Sequence, residues 1–114
     1  MSTVMYGISN CDTIKKAKKF LTDANIEFTF HDYRKDGLSP TLLDTLIAEL
    51  GWEALLNKRG TTFRALSDEQ KNNLNETSAK AIMLAQPAII KRPVLLHQGS
   101  YHLGFSAAQY QALV

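Results

Sequence analysis

The chain has 114 residues, of which 45% are hydrophobic and 21% are charged, and its formal net charge at pH 7 is +2. These values are typical of a single globular domain, expected here over residues 1–114, and they exclude neither an enzyme nor a binding protein. The small net charge gives no support for direct binding of nucleic acid, and no apolar stretch is long enough to span a membrane. The single cysteine excludes an intramolecular disulfide, and the N-terminus lacks the pattern of a secretory leader. We therefore expect the protein to be located in the cytoplasm.

The first predicted element is a short buried strand over residues 4–8, which is followed by an amphipathic helix over residues 12–24. Asn25 suits the C-terminal cap of that helix. Cys11 therefore lies where the strand passes into the helix. The free N–H groups and the dipole of a first helical turn favour a thiolate over a thiol at this position. We interpret Cys11 as a reactive thiol; the alternative is a buried, inert cysteine.

A second strand is predicted at Ile26–His31, and with the first strand and helix it completes a βαβ unit with a right-handed crossover. A polar loop follows over residues 32–38. Ser39 then has the character of a helix N-cap, with Pro40 at the first helical position. From here to about residue 86 the sequence predicts a helical block, with a loop over residues 57–64, a capping box at Ser67–Gln70 and a longer helix over about residues 78–86.

Period-two alternation returns at Val94–His97 and Tyr101–Leu103, which we predict to form a hairpin, and a last helix follows Ser106. The predicted elements follow the order of a βαβ unit, a helical block and a ββα unit. This order predicts an α/β, thioredoxin-like fold. Its four-stranded mixed sheet would carry a helical insertion over about residues 39–86. In that plan the proline before the third strand, Pro93, follows a cis bond beside the cysteine; the alternative is an ordinary trans proline at a strand start.

Three segments resemble the ArsC/Spx family: Gly7–Thr13, Asn57–Thr62 and Lys91–Pro93. That family contains glutaredoxin-coupled arsenate reductases and the Spx transcriptional regulators. The resemblance covers essentially the whole chain and is closest to the YffB-like branch of glutathione-dependent thiol reductases.

The resemblance implies that Cys11 is the catalytic nucleophile and that Pro93 is a structural residue of the site. Arginine binds carboxylates and oxyanions through a planar, bidentate fork. The middle-loop arginine of ArsC enzymes lies slightly earlier, where this chain has Asn57. For Arg64 a surface ion pair is an equal alternative, so its role stays open. The residues expected to bind substrate or glutathione are Arg92, Arg59, Asn10 and Thr13.

Two departures from the family pattern shape the expected function. Cys11 has no C-x-x-C partner, so the second thiol must come from another molecule, and glutathione is the natural co-substrate. Phe105 stands where ArsC enzymes carry a late arginine, so a three-arginine cradle for arsenate is incomplete.

The sequence therefore predicts an enzyme, a glutathione-dependent monothiol oxidoreductase acting on disulfides. Its expected partners are glutathione or another small thiol, with glutaredoxin as a further candidate. One alternative is a glutaredoxin-coupled arsenate reductase. The other is a noncatalytic Spx-like regulator that binds RNA polymerase. We expect no tightly bound cofactor, and the spacing of His31, His97 and His102 predicts no metal site.

Overall fold

The computed structural model describes residues 3–9 and 11–114 of the chain. Within them one sheet has the strand order β2-β1-β3-β4. β1 pairs with β2 in parallel, whereas β3 is antiparallel to both β1 and β4. The strands are β1 (Val4–Gly7), β2 (Thr29–Asp32), β3 (Val94–His97) and β4 (Ser100–Leu103). The predicted α/β, thioredoxin-like fold with a mixed four-stranded sheet is therefore confirmed.

The helices of the described residues are α1 (Asp12–Asp23), α2 (Pro40–Leu50), α3 (Trp52–Leu55), α4 (Thr61–Arg64), α5 (Asp68–Asn72), α6 (Glu76–Ala85) and α7 (Ala107–Gln111), with a 3-10 turn at Pro87–Ile89. The sheet, α1 and α7 belong to one compact unit, and the segment Leu38–Lys91 forms a second, helical unit. None of these helices is long and apolar enough to cross a lipid bilayer.

The close contact between α1 and β1 depends on Gly7. A Cβ atom at Gly7 would lie 2.6 Å from Cδ1 of Ile14 and 3.4 Å from its Cγ1. The Ile14 side chain is fully buried, so it has little room to move away. Glycine therefore lets the strand and the helix approach each other. Around this contact lies the core cluster, which contains Met5, Ile14, Ala17, Leu21, Leu95 and Tyr110.

The end of α1 explains why the second strand starts later than predicted. The N–H of Ile26 donates to the carbonyl of Leu21 at 2.9 Å, and the N–H of Asn25 donates to that of Thr22 at 3.0 Å. With φ of Asn25 at 60°, this is a Schellman motif, and the predicted capping role of Asn25 is confirmed. Because Ile26 closes the motif, the predicted strand start there is wrong, and β2 begins at Thr29.

The caps of the helical unit follow the sequence signals closely. Ser39 accepts the N–H of Leu42 at 3.1 Å and is followed by Pro40, as predicted. The predicted capping box between Ser67 and Gln70 is also present.

Two helices of this unit differ from the prediction. The helix predicted from Ser78 begins at Glu76, because Asn75 is the N-cap and Ser78 is its partner in a second capping box. The span 61–64, predicted as a loop, forms the single turn of α4 after the extended residue Gly60.

Candidate thiol site at one end of the sheet

One end of the sheet brings together four segments of the chain. Gly7 at the end of β1 pairs with Asp32, the last residue of β2. Tyr6 pairs with Val94, the first residue of β3, and Val94 also pairs with Leu103 at the end of β4. The segments that follow β1, β2 and β4 therefore share one edge of the sheet with the segment that precedes β3. We name it the cysteine edge, since the segment after β1 leads to the cysteine.

Cys11 lies on the cysteine edge as the N-cap of α1. Its backbone is extended (φ −140°, ψ 131°), and its carbonyl accepts the N–H of Lys15 at 3.1 Å. The side chain makes no capping hydrogen bond, is half-buried and packs against the core cluster. It therefore lies at the N-terminus of a 12-residue helix, the positive end of the helix dipole. The exposed Asp12 is the acidic residue of the first turn of this helix.

A buried carboxylate holds the backbone that leads to Cys11. Asp32 is only 3% exposed, and its Oδ2 accepts the N–H of Ser9 at 3.1 Å. Its Oδ1 accepts the N–H groups of Arg34 at 2.8 Å and Lys35 at 3.2 Å. Ser9 in turn accepts the N–H of Cys11 through its carbonyl at 2.9 Å. Burial raises the pKa of Asp32, but the hydrogen bonds from the three backbone N–H groups and from the Ser9 side chain together outweigh burial and hold that pKa below its usual value.

The peptide bond between Arg92 and Pro93 is cis, which confirms the predicted isomer. Pro93 is buried, and its carbonyl accepts the N–H of Gly104 at 2.8 Å, so the segments before β3 and after β4 are joined. Arg92 is half-buried and forms no ion pair within the described residues.

Phe105 follows β4 on the same edge. Its ring lies 4.7 Å from that of Tyr110 and 6.2 Å from that of Phe20, both in edge-to-face geometry. It is partly buried and packs against the same core cluster as Cys11. The position where the family carries a late arginine is thus an aromatic packing position in this chain.

Arg59 belongs to the helical unit and lies on an anchored loop. Its N–H donates to Oδ1 of Asn57 at 3.1 Å. The N–H of Asn57 donates to the carbonyl of Ile89 at 2.9 Å, and the N–H of Lys91 donates to that of Leu55 at 2.7 Å. The loop and the segment before β3 are therefore fixed to each other by backbone hydrogen bonds, while the Arg59 side chain stays exposed.

An open cavity of about 470 Å³ adjoins this loop and is lined by Glu53, Ala54, Leu56, Asn57, Lys58, Arg59 and Lys91. Its three cationic side chains form no ion pairs within the described part of the chain. Such a lining is suited to an anionic group. Arg64 lies outside the lining, and its Nη2 donates to the carbonyl of Arg59 at 3.0 Å, so it supports the loop backbone.

The remaining predicted site residues are placed as follows. Thr13 is the second residue of α1 and is half-buried, in the same unit as Cys11, Arg92 and Pro93. Asn10 lies outside the described residues. Among the residues described, no three His, Cys, Asp or Glu side chains are grouped to hold a metal ion.

Asp32 is the residue of this edge that sequence reasoning missed, since it was assigned to a polar loop. A usable signal was present, because an acidic residue directly follows a half-buried strand of a βαβ unit. The ends of such parallel strands meet at one edge, where functional groups collect.

The strand order and the position of the single cysteine at the start of the first helix define a thioredoxin-like protein with one thiol. The chain belongs to the ArsC family, whose sequence profile matches residues 6–113. The predicted membership of the ArsC/Spx family is thus confirmed.

Individual relatives agree with this assignment. The solved structure of a YffB protein is 45% identical, with 98% of each chain covered and a TM-score of 0.92. An arsenate reductase (ArsC) related protein from Brucella melitensis is 50% identical, with 98% of this chain and 93% of that chain covered and a TM-score of 0.83. The global transcriptional regulator Spx 2 of Lactococcus lactis is 24% identical, with 96% of this chain and 84% of the regulator covered.

Proposed function

We propose that this protein is a glutathione-dependent monothiol oxidoreductase in which Cys11 is the nucleophile. The proposal depends on one observation: the half-buried Cys11 side chain lies at the N-terminus of α1, on the sheet edge that also carries Arg92 and Pro93. The proposal takes the thiolate as the attacking form, because it is the reactive form of a cysteine. Cys11 is the only cysteine of the sequence, so a second thiol must come from another molecule.

The proposed reaction is two successive thiol–disulfide exchanges. The Cys11 thiolate attacks the glutathione sulfur of a mixed disulfide, an S–S bond forms on Cys11, and the substrate leaves as a thiolate that takes up a proton. A glutathione thiolate then attacks the adduct, which releases Cys11 as a thiolate and forms glutathione disulfide. In sum, one mixed disulfide and one glutathione give one reduced thiol and one glutathione disulfide.

The cationic side chains supply the binding part of the proposal. Glutathione carries two carboxylates, and Arg92 is suited to bind one of them through a bidentate contact. Within the helical unit, Arg59 and its cationic cavity are proposed to bind an anionic group, and in the unit of Cys11 we expect Thr13 and Asn10 to donate hydrogen bonds to the substrate. Glutathione is abundant in a reducing compartment, so the proposal places the protein in the cytoplasm, with glutaredoxin as a further exchange partner.

Arsenate reduction is the second candidate, because the Brucella melitensis relative is described as related to an arsenate reductase. Arsenate and its covalent adduct are anions, and each well-placed arginine hydrogen bond is worth about 1.5–3 kcal/mol. The aromatic packing of Phe105 leaves that position without a cation. A disulfide has neutral sulfur atoms and needs no such cradle, so the geometry favours the disulfide. The third candidate, a noncatalytic regulator, is supported by the likeness to Spx 2.

The proposal is tested with a peptide–glutathione mixed disulfide as substrate, glutathione as reductant and glutathione disulfide as the measured product. We expect turnover by the wild-type protein and none above the uncatalysed rate for Cys11→Ser. Lys19→Ala is the matched control, because Lys19 is exposed on the same helix and pairs only with Asp23. Wild-type-like turnover by Cys11→Ser, or no turnover by the folded wild type, would contradict the proposal.

A further inference from the structure

Asp32 is an unusual residue to find at the cysteine edge, because carboxylates are rarely buried without a cationic partner. It is 3% exposed and has no ion pair within the described residues. Its partners are the backbone N–H groups of Ser9, Arg34 and Lys35, and the side chain of Ser9 also lowers its pKa by a hydrogen bond. Burial of the charge is tolerated because these donors replace its hydration.

The two carboxylate oxygens of Asp32 accept hydrogen bonds from different parts of the chain. Oδ1 accepts the N–H groups of Arg34 and Lys35, which closes the local turn after β2. Oδ2 reaches 23 residues back along the chain to the N–H of Ser9. The carbonyl of Ser9 then accepts the N–H of Cys11 at 2.9 Å. A continuous path of hydrogen bonds therefore joins the Asp32 carboxylate to the backbone of Cys11.

We infer that Asp32 is a positioning residue that fixes the Cys11 backbone, and with it the sulfur, for attack on a disulfide. The inference rests on the proposed function, since it assigns a task within the same site. Exchange at a disulfide needs the attacking sulfur in line with the bond that breaks, and small misplacements of a reacting group cost large factors in rate. A charge-assisted hydrogen bond is a strong device for holding a loop, because it is about twice as strong as a neutral one.

Asp36 provides a matched control within the same turn. Its carboxylate accepts the N–H of Asp32 at 2.9 Å, and its own N–H donates to the carbonyl of Asp32 at 2.8 Å. Asp36 is exposed and makes no hydrogen bond to Ser9 in the structure. Asp36→Asn thus makes the same chemical change in the same turn without touching the path to Cys11.

The test compares Asp32→Asn with Asp36→Asn. In Asp32→Asn the amide oxygen can keep the N–H groups of Arg34 and Lys35, but the NH2 group then faces the N–H of Ser9, so two donors meet. We expect kcat for glutathione-dependent reduction of the mixed disulfide to fall roughly tenfold to a hundredfold with KM nearly unchanged. In NMR spectra the amide resonances of Ser9 and Cys11 should shift in Asp32→Asn and stay in place in Asp36→Asn.

Asp32→Ser is the second variant, because its hydroxyl can accept the N–H of Arg34 but is too short to reach Ser9. Equal kcat values for the two asparagine variants, or Ser9 and Cys11 resonances that do not move, would overturn the inference. The inference would also be overturned if both Asp32 variants were unfolded while Asp36→Asn remained folded, since Asp32 would then be required for the stability of the whole fold. Failure of the proposed function is distinguishable, because the wild type itself would then lack turnover while the amide shifts could still be measured.

Discussion

The cysteine edge and the Arg59 loop both present residues expected to act in chemistry, but they are held in different ways. The backbone before Cys11 is fixed by the buried carboxylate of Asp32 and by the packing of α1 on Gly7. The Arg59 loop is fixed by backbone hydrogen bonds and by two side chains, the half-buried Asn57 and the exposed Arg64. The comparison indicates that the proposed nucleophile, Cys11, packs against the core, whereas the proposed binding charge of Arg59 is carried on a more solvated loop.

The largest expected effect on stability is at Asp32. Asp32→Asn should lower the free energy of unfolding by about 2–3 kcal/mol at pH 7, because a buried charge-assisted hydrogen bond is replaced by two facing donors. The folded-state pKa of Asp32 is lowered, so its stabilising effect is present above the unfolded-state pKa and is lost as the pH falls through the folded-state value.

Urea denaturation at several pH values measures both the loss of stability at pH 7 and its dependence on pH. As the pH is lowered from about 5 toward 3, across the ordinary carboxyl range, the free energy of unfolding should fall more for the wild type than for Asp32→Asn. Parallel losses in the two proteins would show that Asp32 is not the group that titrates.

A smaller loss is expected where α1 packs on β1. Gly7→Ala would place a methyl group against the buried side chain of Ile14, and overpacking of this kind costs about 1–3 kcal/mol. Thermal unfolding followed by circular dichroism measures the change. The control is Gly37→Ala, at an exposed turn where nothing lies within 4 Å of an added Cβ and only the left-handed φ of 95° is strained. A loss no greater than that of the control would show that Ile14 can move aside.

The smallest effect is expected at the Arg59 loop. Asn57→Ala removes one hydrogen bond, to the N–H of Arg59, and should cost about 0.5–1.5 kcal/mol. If the cavity beside this loop binds an anionic group, the same variant should raise KM for the mixed disulfide more than it changes kcat. A cost as large as that of Asp32→Asn would show that both regions are held equally firmly.

The helix ends were predicted correctly where a short local sequence pattern has a single physical cause. The caps at Ser39 and Ser67 and the left-handed residue Asn25 were predicted because each satisfies helix-end hydrogen bonds within a few residues. The start of β2 was misplaced because the apolar Ile26, which fits a strand pattern, closes the helix instead.

The candidate site was predictable only in part. Cys11 and Pro93 stand out by residue type and by position along the chain. Asp32 does not stand out in the sequence, because its contact with Ser9 spans 23 residues and depends on the strand register. From the sequence, Phe105 is noted only because it stands where the family carries an arginine. Its packing against Phe20 can be seen only in the tertiary structure.

The most direct test of the monothiol mechanism is the mass of the intact protein during a single turnover. After exposure to the peptide–glutathione mixed disulfide, the wild type should carry one glutathione on Cys11. Added glutathione should then remove the adduct and form one equivalent of glutathione disulfide. The same protein with arsenate and glutathione should react far more slowly. Absence of the adduct, an adduct that glutathione does not release, or faster reaction with arsenate would contradict the account.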